Sequence, residues 1–400
     1  MSKFKLSLGV VSLLLIGGVI TQEIRPFRPY TFTSHIQAVS TVSGNLNFTL
    51  PTDGSSIVGI PGVGIMKEKA QDSQVPIASL TKMMTAYVVL QKHPLKEGEN
   101  GPSLTMTAND ENLYNQDVAA GDSVIKVAKG EVLTEKQMLE GLLLPSGDNM
   151  ATTLANWIAG SESAFVQQMN ETAKQLGMAH THYADASGVN PQTVSTAADQ
   201  FKIAEAVMKL PVFRDIVDMQ QATLPVAGVQ YNVNYDLGKA GIVGIKTGST
   251  PEAGGNLAAA AYATSGDSKN LVISIVLGQQ GVQPLMQALS VSEAIMNQAR
   301  QDVIPVTFKK AGDTIGDLTL PWGGNVPLVI NKDIPLTGFA GMDIHKKVIL
   351  NPKLSGSIPA NTVVGKLLLD AGDQHISVPL YTKSAVNAPG FIWKLTHLQR

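Results

Sequence analysis

The sequence predicts a mixed α/β domain followed by a small all-β domain. Three observations carry that reading. Apolar strand-like runs at Ile57 to Ile65 and at Gly241 to Leu277 bracket a long helical middle, as in a sheet closed by the two ends of its domain. The middle offers capping residues ahead of apolar positions three and four apart. Beyond Asp302 the runs turn short and alternating and are broken by Gly and Pro, as in Val326-Pro327-Leu328-Val329-Ile330 and Val363 to Leu369, which reads as short strands and turns.

Composition narrows the function classes. The chain has 400 residues, 44% apolar and 16% charged, which suits a globular protein with a well-buried core. A net charge of −2 gives nucleic acid no electrostatic footing. The absence of cysteine rules out disulfides, thiolate catalysis and cysteine metal sites.

In chain order, Lys3 and Lys5 precede an apolar run from Leu6 to Ile20, the layout of a secretory signal and short for a membrane span. No clear small-x-small cleavage site follows, so removal and retention as an N-terminal anchor both fit residues 1–30. Residues 31–54 are rich in Ser, Thr and Asn without periodicity and read as a linker. A domain at 55–303 then opens with one or two strands at a sheet edge. Pro76 leads into Ile77-Ala78-Ser79-Leu80-Thr81-Lys82 and an apolar helix ending near Lys92. Leu95 to Gly130 is polar and turn-rich and reads as a surface excursion. Thr134-Glu135-Lys136-Gln137 is a capping box opening a helix to Leu144. Ser146 sits on the tight connection to the next helix, and further helices cover Ser163 to Leu176 and Ser195 to Lys209. The strand Gly241 to Thr250, a hairpin of Leu257 to Thr264 with Leu271 to Leu277, and a helix from Pro284 to Arg300 complete the domain. The β-rich domain spans 304–384. The tail 385–400 places Phe391, Leu395 and Leu398 on one helical face, compatible with a membrane-surface helix or with a frayed end.

Chemistry concentrates in three motifs. Ser79 and Lys82 lie three apart on a helix, so the amine reaches the hydroxyl and can take its proton. Ser-x-x-Lys alone is weak, because Ser2/Lys5 and Ser123/Lys126 repeat it. Only Ser79 opens a long apolar helix, where the helix dipole also favours negative charge on its oxygen. Ser146-Gly147-Asp148 aims a hydroxyl outward from a constrained turn. Lys246-Thr247-Gly248 offers a cation and a hydroxyl to a carboxylate, with no side chain at Gly248 to obstruct a peptide backbone.

Taken in order, these motifs resemble those of penicillin-interacting serine enzymes. The stretches PIASLTKMMTAY, GEVLTEKQMLEGLLLPSGDN, LGMAHTHYADASGVNP and GIKTGSTPEAGGNLAAAA sharpen the resemblance to the D-alanyl-D-alanine carboxypeptidases of low molecular mass. It implies a β-lactamase/transpeptidase-like helix–sheet–helix sandwich with an antiparallel sheet, and a β-rich C-terminal domain. It also implies Ser79 as acyl-forming nucleophile, Lys82 as general base and Ser146 as proton relay. Lys246 and Thr247 would hold the carboxylate of a peptidoglycan stem peptide beside Gly248, and the N–H groups of Ser79 and Ser249 would form an oxyanion hole. β-Lactams would acylate Ser79, no cofactor or metal is called for, and the protein would be exported to the wall or membrane surface.

One departure stands out: position 148 is Asp where the family's second motif usually ends in Asn. A carboxylate there can accept from Lys82 or from a substrate amide but cannot donate, and its charge opposes a neutral base. Either the change is tolerated, or Asn149 swings in, or activity is low. A class A β-lactamase shares Ser79, Lys82 and a Ser-Asp-Asn motif. Yet Glu162, Glu171 and Glu205 lack the Asn four places on that its deacylating segment carries. A non-catalytic wall-binding module is the rival from another class. His180-x-His182 is too sparse for a zinc peptidase.

Overall fold

A computed structural model describes residues 29–70, 73–266, 268–390 and 392–393. The signal or anchor at 1–28 and all but two residues of the 391–400 face lie outside the described residues. The chain divides into two units, one formed by Ser43–Ile304 with Thr337–Gly341, the other by the remainder.

The smaller unit takes up the first part of the expected linker at 31–54 as strand. Thr31–Ser34 (β1) and Val39–Thr41 (β2) are strands. They form the two edges of a seven-stranded sheet whose other strands come from beyond residue 313. β1 pairs antiparallel with Thr314–Thr319, and β2 with Asp343–Leu350. Their side chains are mostly exposed, so they carry no apolar alternation, and backbone hydrogen bonds rather than burial define them. Within the unit, Ile315, Leu318, Leu328, Val364, Leu367, Leu369, Val378 and Leu380 are buried, the alternating inner face read as all-β.

The larger unit is built on a five-stranded antiparallel sheet. Ser55–Ile60 (β3) and Gly64–Lys69 (β4) complete an order that begins with Ile242–Thr250 (β5), Gly254–Ser265 (β6) and Ser268–Gln279 (β7), so both ends of the domain meet in one sheet. β4 is one of the two edge strands, whereas every residue of β3 is buried. The alanines of β6 are buried on both faces, leaving room for helices on each side. The helix Thr81–Lys92 (α1) is buried along almost its whole length, which explains its apolar, non-amphipathic sequence.

Capping residues set the helix starts. Thr134 and Gln137 form the expected box ahead of Glu135–Leu143, and Thr196 caps Ala197–Met208. The expected excursion at 95–130 holds more structure than its composition signals. Its helix Ala108–Ala120 has a Thr107/Asp110 capping box and buries none of its residues, so it shows no apolar stripe. Met106, Ile125 and Val127, on either side of that helix, enter the core.

Glu135 is an internal conflict in this core. Its side chain is fully buried at the start of a helix, and among the described residues neither carboxylate oxygen meets a hydrogen-bond partner. Burial pushes its carboxyl up from 4.5 to about 7, overriding the preference of a helix start for negative charge. The folded protein therefore holds a proton that the unfolded chain releases between those values, so stability falls as pH rises through that window. Urea unfolding at pH 5 and pH 8 is expected to show wild type losing about 1–3 kcal/mol that Glu135→Gln keeps.

Candidate active site

Ser79 stands on a 3-10 turn, Ala78–Leu80, that runs into α1. Ala78 before it has φ of +48° and Ser146 has φ of +70°. Such left-handed geometry is costly for residues with a Cβ and gathers at functional sites.

One helical turn beyond Ser79, the buried amine of Lys82 makes three contacts. It lies 2.8 Å from Ser79 Oγ, 2.6 Å from Asp148 Oδ1 and 3.0 Å from the carbonyl oxygen of Ser187. An ammonium has three N–H bonds and fills all three. A neutral amine has two N–H bonds and one lone pair. Carboxylate and carbonyl can only accept, so they take the N–H bonds, and the lone pair is left for the Ser79 hydroxyl. The arrangement thus accommodates both states of a base, with the proton-accepting direction fixed.

Asp148 begins the helix Asp148–Ala159. Its second oxygen accepts from the Ser123 N–H at 3.0 Å, and its own N–H donates to the Ser123 carbonyl at 2.7 Å. Asn149 cannot take its place. The Asn149 side chain accepts from the Ile125 N–H and donates to the Ile125 carbonyl, which removes the swung-in alternative. Ser146 is buried, and among the described residues its hydroxyl meets no hydrogen-bond partner, neither Ser79 nor Lys82.

The loop 185–190 is a part of the site that motif reasoning did not single out. Asp185 accepts from the N–H groups of Gly188, Val189 and Asn190 and from the hydroxyls of Ser187 and Thr193. That clamp aims the Ser187 carbonyl at Lys82. Gly188 has φ of +89°, and a Cβ there would come within 1.9 Å of the Ala78 carbonyl oxygen. Only glycine lets the loop press against the Ser79 turn. The Asp-x-x-Gly turn pattern was the available signal.

β5 supplies the third motif from the end of the sheet. A Cβ at Gly248 would lie 3.0 Å from the Ser79 nitrogen, so the strand passes directly over the Ser79 turn. Lys246 and Thr247 are buried, and Ser249 is exposed. Lys246 Nζ donates to the Thr247 carbonyl at 3.1 Å. Burial, and then the charge of Lys82, lower its pKa well below the ordinary lysine value, against an opposing pull from Asp148. A carboxylate brought to this amine would restore its charge. Ser79, Lys82, Asp148, Lys246 and Gly248 therefore converge, and Ser146 lies two residues from Asp148.

A profile of the D-alanyl-D-alanine carboxypeptidase family matches residues 57–281. The chain is 29% identical over 314 residues to the D-alanyl-D-alanine carboxypeptidase DacA of Escherichia coli K12, covering 76% of this chain and 75% of that one. It is 33% identical over 203 residues to a D-alanyl-D-alanine carboxypeptidase of Streptomyces sp. K15, covering 46% of this chain and 67% of the relative. Among solved structures, penicillin-binding protein 5 of Haemophilus influenzae superposes with a TM-score of 0.61 at 24% identity over 85% of this chain and all of that one. The Streptomyces K15 DD-transpeptidase does so with 0.54 at 30% identity over 63% of this chain and 98% of that one.

Proposed function

The chain belongs to the D-alanyl-D-alanine carboxypeptidase family, and from that premise we propose that it removes the terminal D-alanine of peptidoglycan stem peptides through an acyl-enzyme on Ser79. The serine peptidase activity follows from the family. The observation that carries the assignment of Ser79 is the Lys82 amine 2.8 Å from its oxygen, with its other two contacts taken by groups that only accept.

The steps follow from the chemistry of each group. The substrate's terminal carboxylate pairs with Lys246 and Thr247 beside Gly248. Lys82 takes the Ser79 proton as Oγ bonds to the carbonyl carbon of the penultimate D-alanine. The N–H groups of Ser79 and Ser249 hold the oxyanion. As the C–N bond breaks, the proton passes from Lys82 to the leaving amine with Ser146 as relay, and D-alanine departs. A water then attacks the ester, loses its proton along the same route, and returns Ser79 to its starting state. A β-lactam carbonyl would meet the same nucleophile and form a slowly hydrolysed ester. Asp148 serves this scheme by orienting Lys82, with substrate contact a secondary role.

The substrate is wall material, which puts the protein outside the cytoplasm. The N-terminal segment, and a peripheral membrane contact through the tail, would hold it there. No helix among the described residues is long and apolar enough to cross a membrane. An amine in place of water would turn the same acyl-enzyme into a transpeptidation intermediate.

The test is release of free D-alanine from a D-Ala-D-Ala-terminated peptide by the purified protein, with Ser79→Ala as control. Steady release by wild type and a loss of at least about 10⁴-fold in the variant are expected. Penicillin acylation without D-alanine release would point instead to a wall-binding or regulatory role.

A further inference from the structure

We infer that Asp185 is a positioning residue for the general base. Through the Ser187 carbonyl it decides whether the Lys82 amine shows Ser79 its lone pair or an N–H. The inference rests on the acyl-enzyme reading and deepens it. With Asp148 holding one N–H of a neutral Lys82 at 2.6 Å, the other N–H and the lone pair divide between two neighbours. These are Ser79 Oγ at 2.8 Å and the Ser187 carbonyl oxygen at 3.0 Å. A hydroxyl accepts or donates, whereas a carbonyl only accepts. The carbonyl is therefore the group that breaks the tie. Without it, the amine can as readily donate to the hydroxyl that it must deprotonate.

Asp185 aims that carbonyl as a lever does. The Ser187 carbonyl and the Gly188 N–H share one planar trans peptide unit, so they point in opposite directions. Asp185 Oδ2 accepts from the Gly188 N–H at 2.8 Å, gripping one end of the plane while Lys82 meets the other. The same oxygen accepts from the Ser187 hydroxyl at 2.7 Å and the Val189 N–H at 2.9 Å. Oδ1 accepts from the Thr193 hydroxyl at 2.5 Å. The preceding residue is pinned as well. The Ala186 N–H donates to Glu162 at 3.0 Å, and the Ala186 carbonyl accepts at 2.6 Å from Thr85, one turn past Lys82 on α1.

The contacts of Asp185 all fall on residues 187–193, so it acts through the peptide and not on substrate. The peptide it grips is the one that touches the base, where a tilt of the plane moves the carbonyl oxygen directly. What the lever needs is an acceptor oxygen at this length, not a charge. Asparagine supplies it: its oxygen takes the N–H groups, and its NH₂ donates to Thr193 Oγ1. That oxygen accepts from the Ala184 N–H at 2.9 Å and has a second lone pair to offer. Glutamate keeps the charge but sets its carboxylate one methylene further out. Alanine removes the grip.

The experiment follows acylation of the purified protein by benzylpenicillin and separates two quantities. One is the acylation rate at saturation, the other the dissociation constant of the complex that precedes the bond. Asp185→Ala and Asp185→Glu are expected to lower the rate by about tenfold, the worth of one hydrogen bond near the top of its usual range. Their dissociation constants are expected to match wild type, because Asp185 acts on the base and not on the ligand. Asp185→Asn is expected to acylate close to the wild-type rate, a rescue that a role through charge would not give. If Asp185→Ala does not fold, the Asn and Glu variants decide the matter, since they change charge and length separately. A wild-type rate in Asp185→Ala or Asp185→Glu would overturn the proposal. So would a loss in Asp185→Asn equal to that in Asp185→Glu, or a rate loss accompanied by equally weakened binding. Wild type that is not acylated at all would overturn the acyl-enzyme reading, and this proposal with it.

Discussion

Replacing Lys82 with methionine is expected to abolish acylation and to destabilise the fold at the same time. The variant keeps the bulk of the side chain but removes the amine in contact with Ser79 Oγ. Loss of a positioned base costs about 10²–10⁴-fold in rate, read as the rate of labelling by a fluorescent penicillin. The stability loss has a separate origin. Asp148 would keep the Ser123 N–H but lose the 2.6 Å contact to its cation while still buried. Orphaning one partner of a buried pair costs about 3–5 kcal/mol. A second change separates the two effects. Lys82→Met with Asp148→Leu removes both charges, and urea unfolding is expected to recover most of the lost stability while acylation stays absent. If the double variant remains as unstable as the single one, the Lys82–Asp148 pair is not what the fold depends on here. If Lys82→Met is acylated at the wild-type rate, Lys82 is not the base.

The site was legible in the sequence to the extent that it is built from side chains at local spacings. Ser79 and Lys82 are neighbours because a helix puts them so, and Lys246 to Gly248 is a strand because its residues alternate. What the sequence did not announce is carried by backbone atoms. The Ser187 carbonyl and the Ser123 N–H each complete a contact around Lys82 or Asp148, and every residue has a carbonyl and nearly every one an N–H. Their placement depends on turns that tertiary packing sets, such as the Gly188 turn pressed on Ala78.

The same distinction explains the fold. Strands buried on one or both faces, as in β3 and β6, announce themselves through apolar content. β1 and β2 are exposed edges joined by main-chain bonds to strands about 300 residues away in sequence, and their Ser- and Thr-rich text reads as spacer. The helix Ala108–Ala120 hides likewise, because it buries none of its residues.

The departure at position 148 leads to a prediction in which function and stability move in different directions. Asp148→Asn replaces a carboxylate that accepts from both Lys82 and the Ser123 N–H. An amide has only one oxygen. Turned toward Ser123, it leaves its NH₂ facing Lys82, where a neutral amine can accept and an ammonium cannot. Turned toward Lys82, it sets NH₂ against the Ser123 N–H, two donors with nothing between them. The first orientation satisfies every group only when Lys82 is neutral, and loss of the carboxylate charge favours that state as well, although the amine must then turn its one lone pair from the amide to Ser79 to act as base. The acid limb of the acylation rate against pH is therefore expected to move to lower pH. Thermal unfolding should at the same time show a loss of about 1–3 kcal/mol for the missing charge-assisted bond. A pH profile that coincides with wild type would mean that the carboxylate does not govern the base. A shift to higher pH would reverse the sign of the argument. If the shift appears, Asp148 stands as a residue that trades readiness of the base for a stronger hold on it, and nothing about the Asp need be inactivating.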